Sequence, residues 1–165
     1  MRRILILFVA ALTLCLASCG TDAETEKKLD GTWVTTKNVN CQGLMLPMTI
    51  RLTLNNETKE CQLSMSAAIE GVGDFINASV SGTWSATSDE ILLETDSGNA
   101  KVELAPSFRV LAIAAGQDPA AVETEISNSA RAELSRLLKF NVSDLTENSF
   151  VSKDDADTFV FTRRK

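Results

Sequence analysis

The sequence predicts a mainly β, antiparallel fold of about eight strands with a helical segment inserted before the last strands. Three observations carry that prediction. Short runs alternate apolar and polar residues, as where Ile50, Leu52 and Leu54 interleave with Thr49, Arg51 and Thr53. Gly, Asn, Asp and Ser turns stand between most of these runs. Between Pro106 and Lys139 the apolar spacing changes to that of a helix, and alternation then returns.

The chain opens with Arg2 and Arg3 ahead of an apolar run from Ile4 to Leu16, too short to span a bilayer as a helix but suited to a signal-peptide core. Ala17 and Ser18 lead into a cysteine. Leu16-Ala17-Ser18-Cys19 resembles the lipobox of bacterial lipoproteins. That resemblance implies cleavage after residue 18, palmitate-class acyl chains on Cys19, and a protein anchored to a cell-envelope membrane. Two or three such chains hold far more firmly than one, since each buried methylene contributes about 0.8 kcal/mol.

Removing 18 of the 165 residues leaves 147, the size of one domain. Residues 19–28 are polar and lack apolar periodicity, which predicts a flexible, lipidated tether. Asp22, Glu24 and Glu26 resemble the acidic stretch that sends Bacteroidetes lipoproteins to the outer face of the outer membrane; the alternative is a plain soluble spacer. Gly20 after the cysteine resembles outer-membrane lipoproteins of enterobacteria.

The folded domain, 29–165, begins at Leu29-Asp30-Gly31-Thr32-Trp33. Strands are expected at Trp33 to Lys37, Ile50 to Leu54, Cys61 to Ala67, Phe75 to Val80, Gly82 to Ala86, Glu90 to Thr95 and Lys101 to Leu104. A first helix runs from Pro106 and stops at Gly116. Asp118-Pro119 then offers an N-cap and a first-turn proline for a second, with Val122, Ile126, Ala130, Leu134, Leu137 and Leu138 on one stripe. That stripe is expected to cover a sheet edge or barrel mouth, with the helix packed outside the protein's own sheet, or else to engage another helix. Three strands close the chain: Phe140 to Leu145, Asn148 to Lys153 and Asp157 to Arg163, with a turn at Asp154-Asp155-Ala156.

Cys15 leaves with the signal and Cys19 carries lipid, so Cys41 and Cys61 remain as an even pair in an exported chain. A disulfide between them is expected, stabilising by roughly 3 kcal/mol. The competing readings are two buried thiols or half of a metal site, and no histidine exists to complete zinc in the usual way. No metal or other cofactor is expected.

After cleavage, 14 basic side chains face 22 acidic ones, a balance that disfavours nucleic acid and anionic surfaces. Arg163-Arg164-Lys165 reads as a solvated end. Without histidine or tyrosine no Ser-His-Asp triad or Cys-His pair can be drawn, and no nucleophile elbow or phosphate-binding glycine loop is present. The expectation is a protein that is not an enzyme.

Gly31-Thr32-Trp33 recurs as Gly82-Thr83-Trp84, and the last strand ends at Arg163. These motifs resemble the bacterial, Bacteroidetes-type lipocalin-like lipoproteins of the calycin superfamily, with a Leu-x-Gly-x-Trp opening and a basic close. The resemblance implies an up-and-down barrel in which Trp33 plugs the closed end and Arg163 stacks across it. The plainer reading is that both tryptophans are simply core. It further implies a membrane-tethered binding module for a small apolar or amphipathic ligand, with Leu52, Leu63, Met65, Leu93, Val102, Phe159 and Phe161 facing inward. These residues would equally fill a solid core. The alternative is an accessory interaction lipoprotein of the envelope, similar to the META-type domains, with a protein or polysaccharide partner and no internal ligand.

Overall fold

The computed structural model of the protein describes residues 21–41, 44–69, 73–153 and 157–164. The signal segment 1–18, the lipidation candidate Cys19 and the expected turn at 154–156 lie outside the described residues.

Alternation becomes strand where one face is buried, and it does so nine times among the described residues. A short helix, α1 (Ala23–Leu29), precedes β1 (Gly31–Cys41), β2 (Leu44–Leu54), β3 (Glu60–Ile69) and β4 (Gly73–Ala86). The chain continues through β5 (Glu90–Glu94), a 3-10 turn (Ser97–Asn99), β6 (Lys101–Leu104), α2 (Pro106–Ala114) and α3 (Pro119–Arg136). It ends with β7 (Lys139–Ser143), β8 (Ser149–Lys153) and β9 (Thr158–Arg164).

Every pairing is antiparallel, from β1 through β4 to β5, then β7, β8 and β9, and β9 returns to β1. The result is a closed eight-stranded barrel plus one extra strand. That strand, β6, pairs with Ile76–Ser79 on the edge of β4 that meets β5 at Thr83–Ala86. β5 and β6 are therefore one strand direction interrupted by residues 95–100.

Inward positions form the core, among them Trp33, Ile50, Leu52, Leu54, Leu63, Ile91, Phe140, Phe150 and Phe161. Helix α3 begins as the sequence predicts, with Asp118 accepting from the Ala120 N–H at 3.1 Å. Its Ala130 and Leu134, with Leu137 just beyond, join the same cluster as the inward strand residues. The outer faces of β3, β4 and β6 instead carry exposed Gln62, Asn77, Ser81, Lys101 and Glu103. The helix thus closes the barrel from the core side, which corrects the expectation that it packs outside the sheet.

Four further expectations change. The tether is not flexible throughout: Asp22 caps α1, and Thr25, Glu26 and Leu29 are buried. Glu26 accepts from the Ala86 N–H at 3.3 Å and pairs with Lys59 at 2.7 Å, so tertiary contacts hold a segment with no apolar periodicity. Gly82 does not open a strand but lies inside β4. A Cβ there would stand 2.3 Å from the Glu94 carbonyl oxygen, so glycine admits the end of β5. β1 and β2 extend to Cys41 and Leu44, beyond the expected limits at Lys37 and Ile50.

The expected Cys41–Cys61 disulfide is not formed, and Cys61 is a buried free thiol. Register explains why. Cys61 aligns with Leu54 and through it with Gly31, while Cys41 lies ten residues further along β1. At 3.3 Å per residue the two positions are roughly 30 Å apart, and a disulfide needs Cα atoms within about 7 Å. Burial pushes the Cys61 thiol pKa up, while its Sγ donates to the Thr83 carbonyl at 3.3 Å.

Candidate functional site

Both Gly-Thr-Trp motifs converge on one end of the barrel, where they do the same physical job. The Trp33 indole N–H donates to the Leu29 carbonyl at 2.7 Å and the Trp84 indole N–H to the Asn55 carbonyl at 3.0 Å. Each ring lies under a cation: the Arg163 guanidinium at 4.3 Å from Trp33 and the Lys59 ammonium at 5.4 Å from Trp84. Arg163 also donates to the carbonyls of Lys28, Asp30 and Glu147. Gly31, at φ +120°, leaves the room this needs, since a Cβ there would meet the guanidinium at 2.8 Å. Arg163 is therefore a structural clamp rather than part of a solvated end.

Above this plug the interior is filled with side chains. Phe150 stands edge-on to Trp33 at 5.0 Å and stacks on Phe161 at 4.7 Å, and Phe140 meets Phe161 edge-on at 5.6 Å. Of the residues expected to line a ligand, Leu52, Leu63 and Phe161 have no exposed surface, and Met65, Leu93 and Phe159 are buried. Val102, on the extra strand, is half-buried.

Phe159 alone of these also lines a described cleft. β1 and β9 share three rungs, Thr32 with Arg164, Trp33 with Arg163 and Val34 with Thr162. Beyond them the two strands continue without a ladder, and a cleft of about 350 Å³ opens along the seam. Its walls are Val34–Lys37 on one side and Thr158–Val160 with Thr162 and Arg164 on the other. At its upper end Lys37 pairs with Asp157 and places its ammonium 5.5 Å from the Phe159 ring centre. Asp157 also bridges to Arg136 on the end of α3 at 3.4 Å.

No protein-family model and no curated protein matches this chain. Its own geometry therefore carries the functional reading.

The outer wall around the seam has a composition of its own. Alternation directs Thr32, Val34, Thr36 and Asn38 of β1 outward, with Pro47, Thr49, Arg51 and Thr53 of β2 beside them. On the other side stand Thr158, Val160, Thr162 and Arg164 of β9, then Ser149, Val151 and Lys153 of β8. None of these positions is acidic, in a chain with 22 carboxylate side chains. Sequence reasoning missed this face, although strand parity around Arg51 contains it. A second cleft of about 280 Å³ lies between β6, α2 and α3, where Arg109 and Glu123 pair at 3.1 Å. Among the described residues no group of three or more Cys, Asp or Glu is arranged to hold a metal ion.

Proposed function

We propose that the protein is a lipid-anchored, non-catalytic binding module of the bacterial cell envelope that binds through the outer wall of its barrel. One observation carries this reading: the interior positions at which a lipocalin-like ligand would sit are occupied by the protein's own rings and aliphatic side chains. A packed core gains stability from every buried side chain and gives a ligand no preformed volume. The seam cleft is accessible and lined by both polar and apolar groups.

The lipid anchor fits the same arrangement. Asp22, three residues after Cys19, donates its backbone N–H to the Ala86 carbonyl at 2.9 Å, so the acylated residue would lie within about 10 Å of the closed end. Acylation there would place the plugged end toward the membrane and hold the barrel near it. A Cys19→Ala variant is expected to lose detergent partitioning, and its recovery as normally processed, membrane-bound protein would refute the anchor.

The reading of a small apolar ligand inside the barrel is favoured by Phe159, which faces inward and also reaches the cleft. Nile red separates the two. Binding at the wall predicts no saturable uptake by the folded protein. Saturable uptake reduced by Met65→Trp would establish the interior site instead.

A further inference from the structure

The seam wall combines unused backbone edges with unpaired positive charge, and the two features together identify a class of partner. Closing a barrel normally leaves no free strand edge. Here β1 runs to Cys41 and β9 starts at Thr158, yet their shared ladder ends at the Val34–Thr162 rung. Thr35–Asn38 of β1 and Thr158–Phe161 of β9 therefore border the opening without pairing to each other.

The charges flank that opening. Among the described residues Arg51, Lys153 and Arg164 have no ion pair or side-chain hydrogen bond, a condition shared away from the seam by Lys27 and Arg131, whereas Lys28, Lys37, Lys59, Lys101, Arg109, Arg136 and Lys139 each pair with a carboxylate. Arg51 is the register partner of Val34, and Arg164 lies two residues along β9 from the other partner of Val34. Two strand spacings and two residues put the arginine backbones roughly 12 Å apart. Lys153 pairs in register with Thr158 at the other end of the cleft. Between the cations stand hydroxyl groups and Val160, which is 54% exposed. A face with no acid at its described outward positions and with three unpaired cations attracts an anionic partner even on a protein whose net charge is negative.

We propose that this seam docks an extended acidic segment of a partner protein by strand addition, a proposal that rests on the outer-wall reading above. The segment pairs antiparallel with Thr35–Asn38, continuing the direction β9 follows lower down. Backbone hydrogen bonds supply its affinity, and Arg51, Lys153 and Arg164 select acidic side chains on its outer face. Its inward alternate residues meet Phe159 and Thr35, so a sequence alternating acidic and aliphatic residues fits best. Backbone edges favour a peptide over a polysaccharide, which has no amide ladder to complete.

Full-length protein in a non-ionic detergent, titrated into a fluorescently labelled, end-blocked decapeptide of alternating Glu and Val, tests this by anisotropy. Saturable binding is expected, at least tenfold weaker for Arg51→Glu/Arg164→Glu and retained by Arg51→Lys/Arg164→Lys. The same peptide N-methylated at alternate amides is expected to lose binding to the unmodified protein, an arm that needs no variant to fold. Equal affinity of the methylated peptide would overturn strand addition. Equal affinity of the charge-reversed variant, its circular-dichroism melt being normal, would overturn the cationic face. Absence of peptide binding, or binding of an alginate oligosaccharide in its place, would overturn the peptide partner. Saturable Nile red uptake would instead mark failure of the outer-wall reading itself.

Discussion

The lower and upper stretches of the β1–β9 seam belong to the same two strands yet are held in opposite ways. Below, three rungs are backed by Trp33, and Arg163 covers the ring while bonding three backbone carbonyls. Above, the ladder is absent, and side chains alone span the gap through Lys37 and Asp157. The difference teaches that this barrel closes where a buried aromatic and a clamped arginine order the backbone. An ion pair near solvent does not substitute for them, because hydration offsets most of its attraction.

The largest expected effect follows from removing the plug. Trp33→Ala should cost about 3 to 5 kcal/mol, as deletion of a buried large aromatic does, read as a lowered denaturant midpoint. A cost under about 1 kcal/mol would mean the lower seam does not depend on its ring. Arg163→Ala should cost about 2 to 3 kcal/mol, since it strips charged donors from three carbonyls. By contrast Lys37→Ala, at the upper seam, should change stability by no more than about 1 kcal/mol. Comparable losses for the two substitutions would erase the distinction.

The smallest effect concerns the cap that docks α1 to the closed end. The Thr25 hydroxyl, followed by the Thr25 backbone N–H, holds the Asp22 carboxyl below the usual aspartate range. A lowered native pKa means the cap's contribution is fully present above about pH 4 and fades as pH falls through the lowered value. Acidification from pH 6 to pH 3 should therefore destabilise the native protein more than an Asp22→Asn variant, whose amide does not titrate. Parallel melting curves for the two proteins would contradict the role of that carboxylate.

Much of the barrel was legible because alternation reports directly on a sheet with one buried face. Leu52, Leu63 and Phe161 occupy the interior that their parity assigned, and Trp33 and Arg163 meet as the terminal motifs implied. What stayed hidden depends on neighbours distant in sequence. Helix α1 has no apolar stripe and is held by the Glu26 contacts to Lys59 and Ala86. Gly82 looked like a strand start because the approach of Glu94 cannot be seen from residues 73–86 alone. The cysteine spacing resembled a bridge until register carried the two to opposite ends of a long hairpin. The cationic wall required both parity and strand order, since Arg51 and Arg164 are 113 positions apart and meet only through β1.

Native-state hydrogen exchange tests the difference between the two parts of the seam most directly, because it reads the free energy of opening amide by amide. The account predicts that amides of the fully laddered Leu52 and Leu63 exchange only through global unfolding. Those of Thr35–Asn38 and Thr158–Val160 that point across the cleft should exchange at least a hundredfold faster. Equal protection on both sets would show that the upper seam is closed, and would contradict a wall with free strand edges.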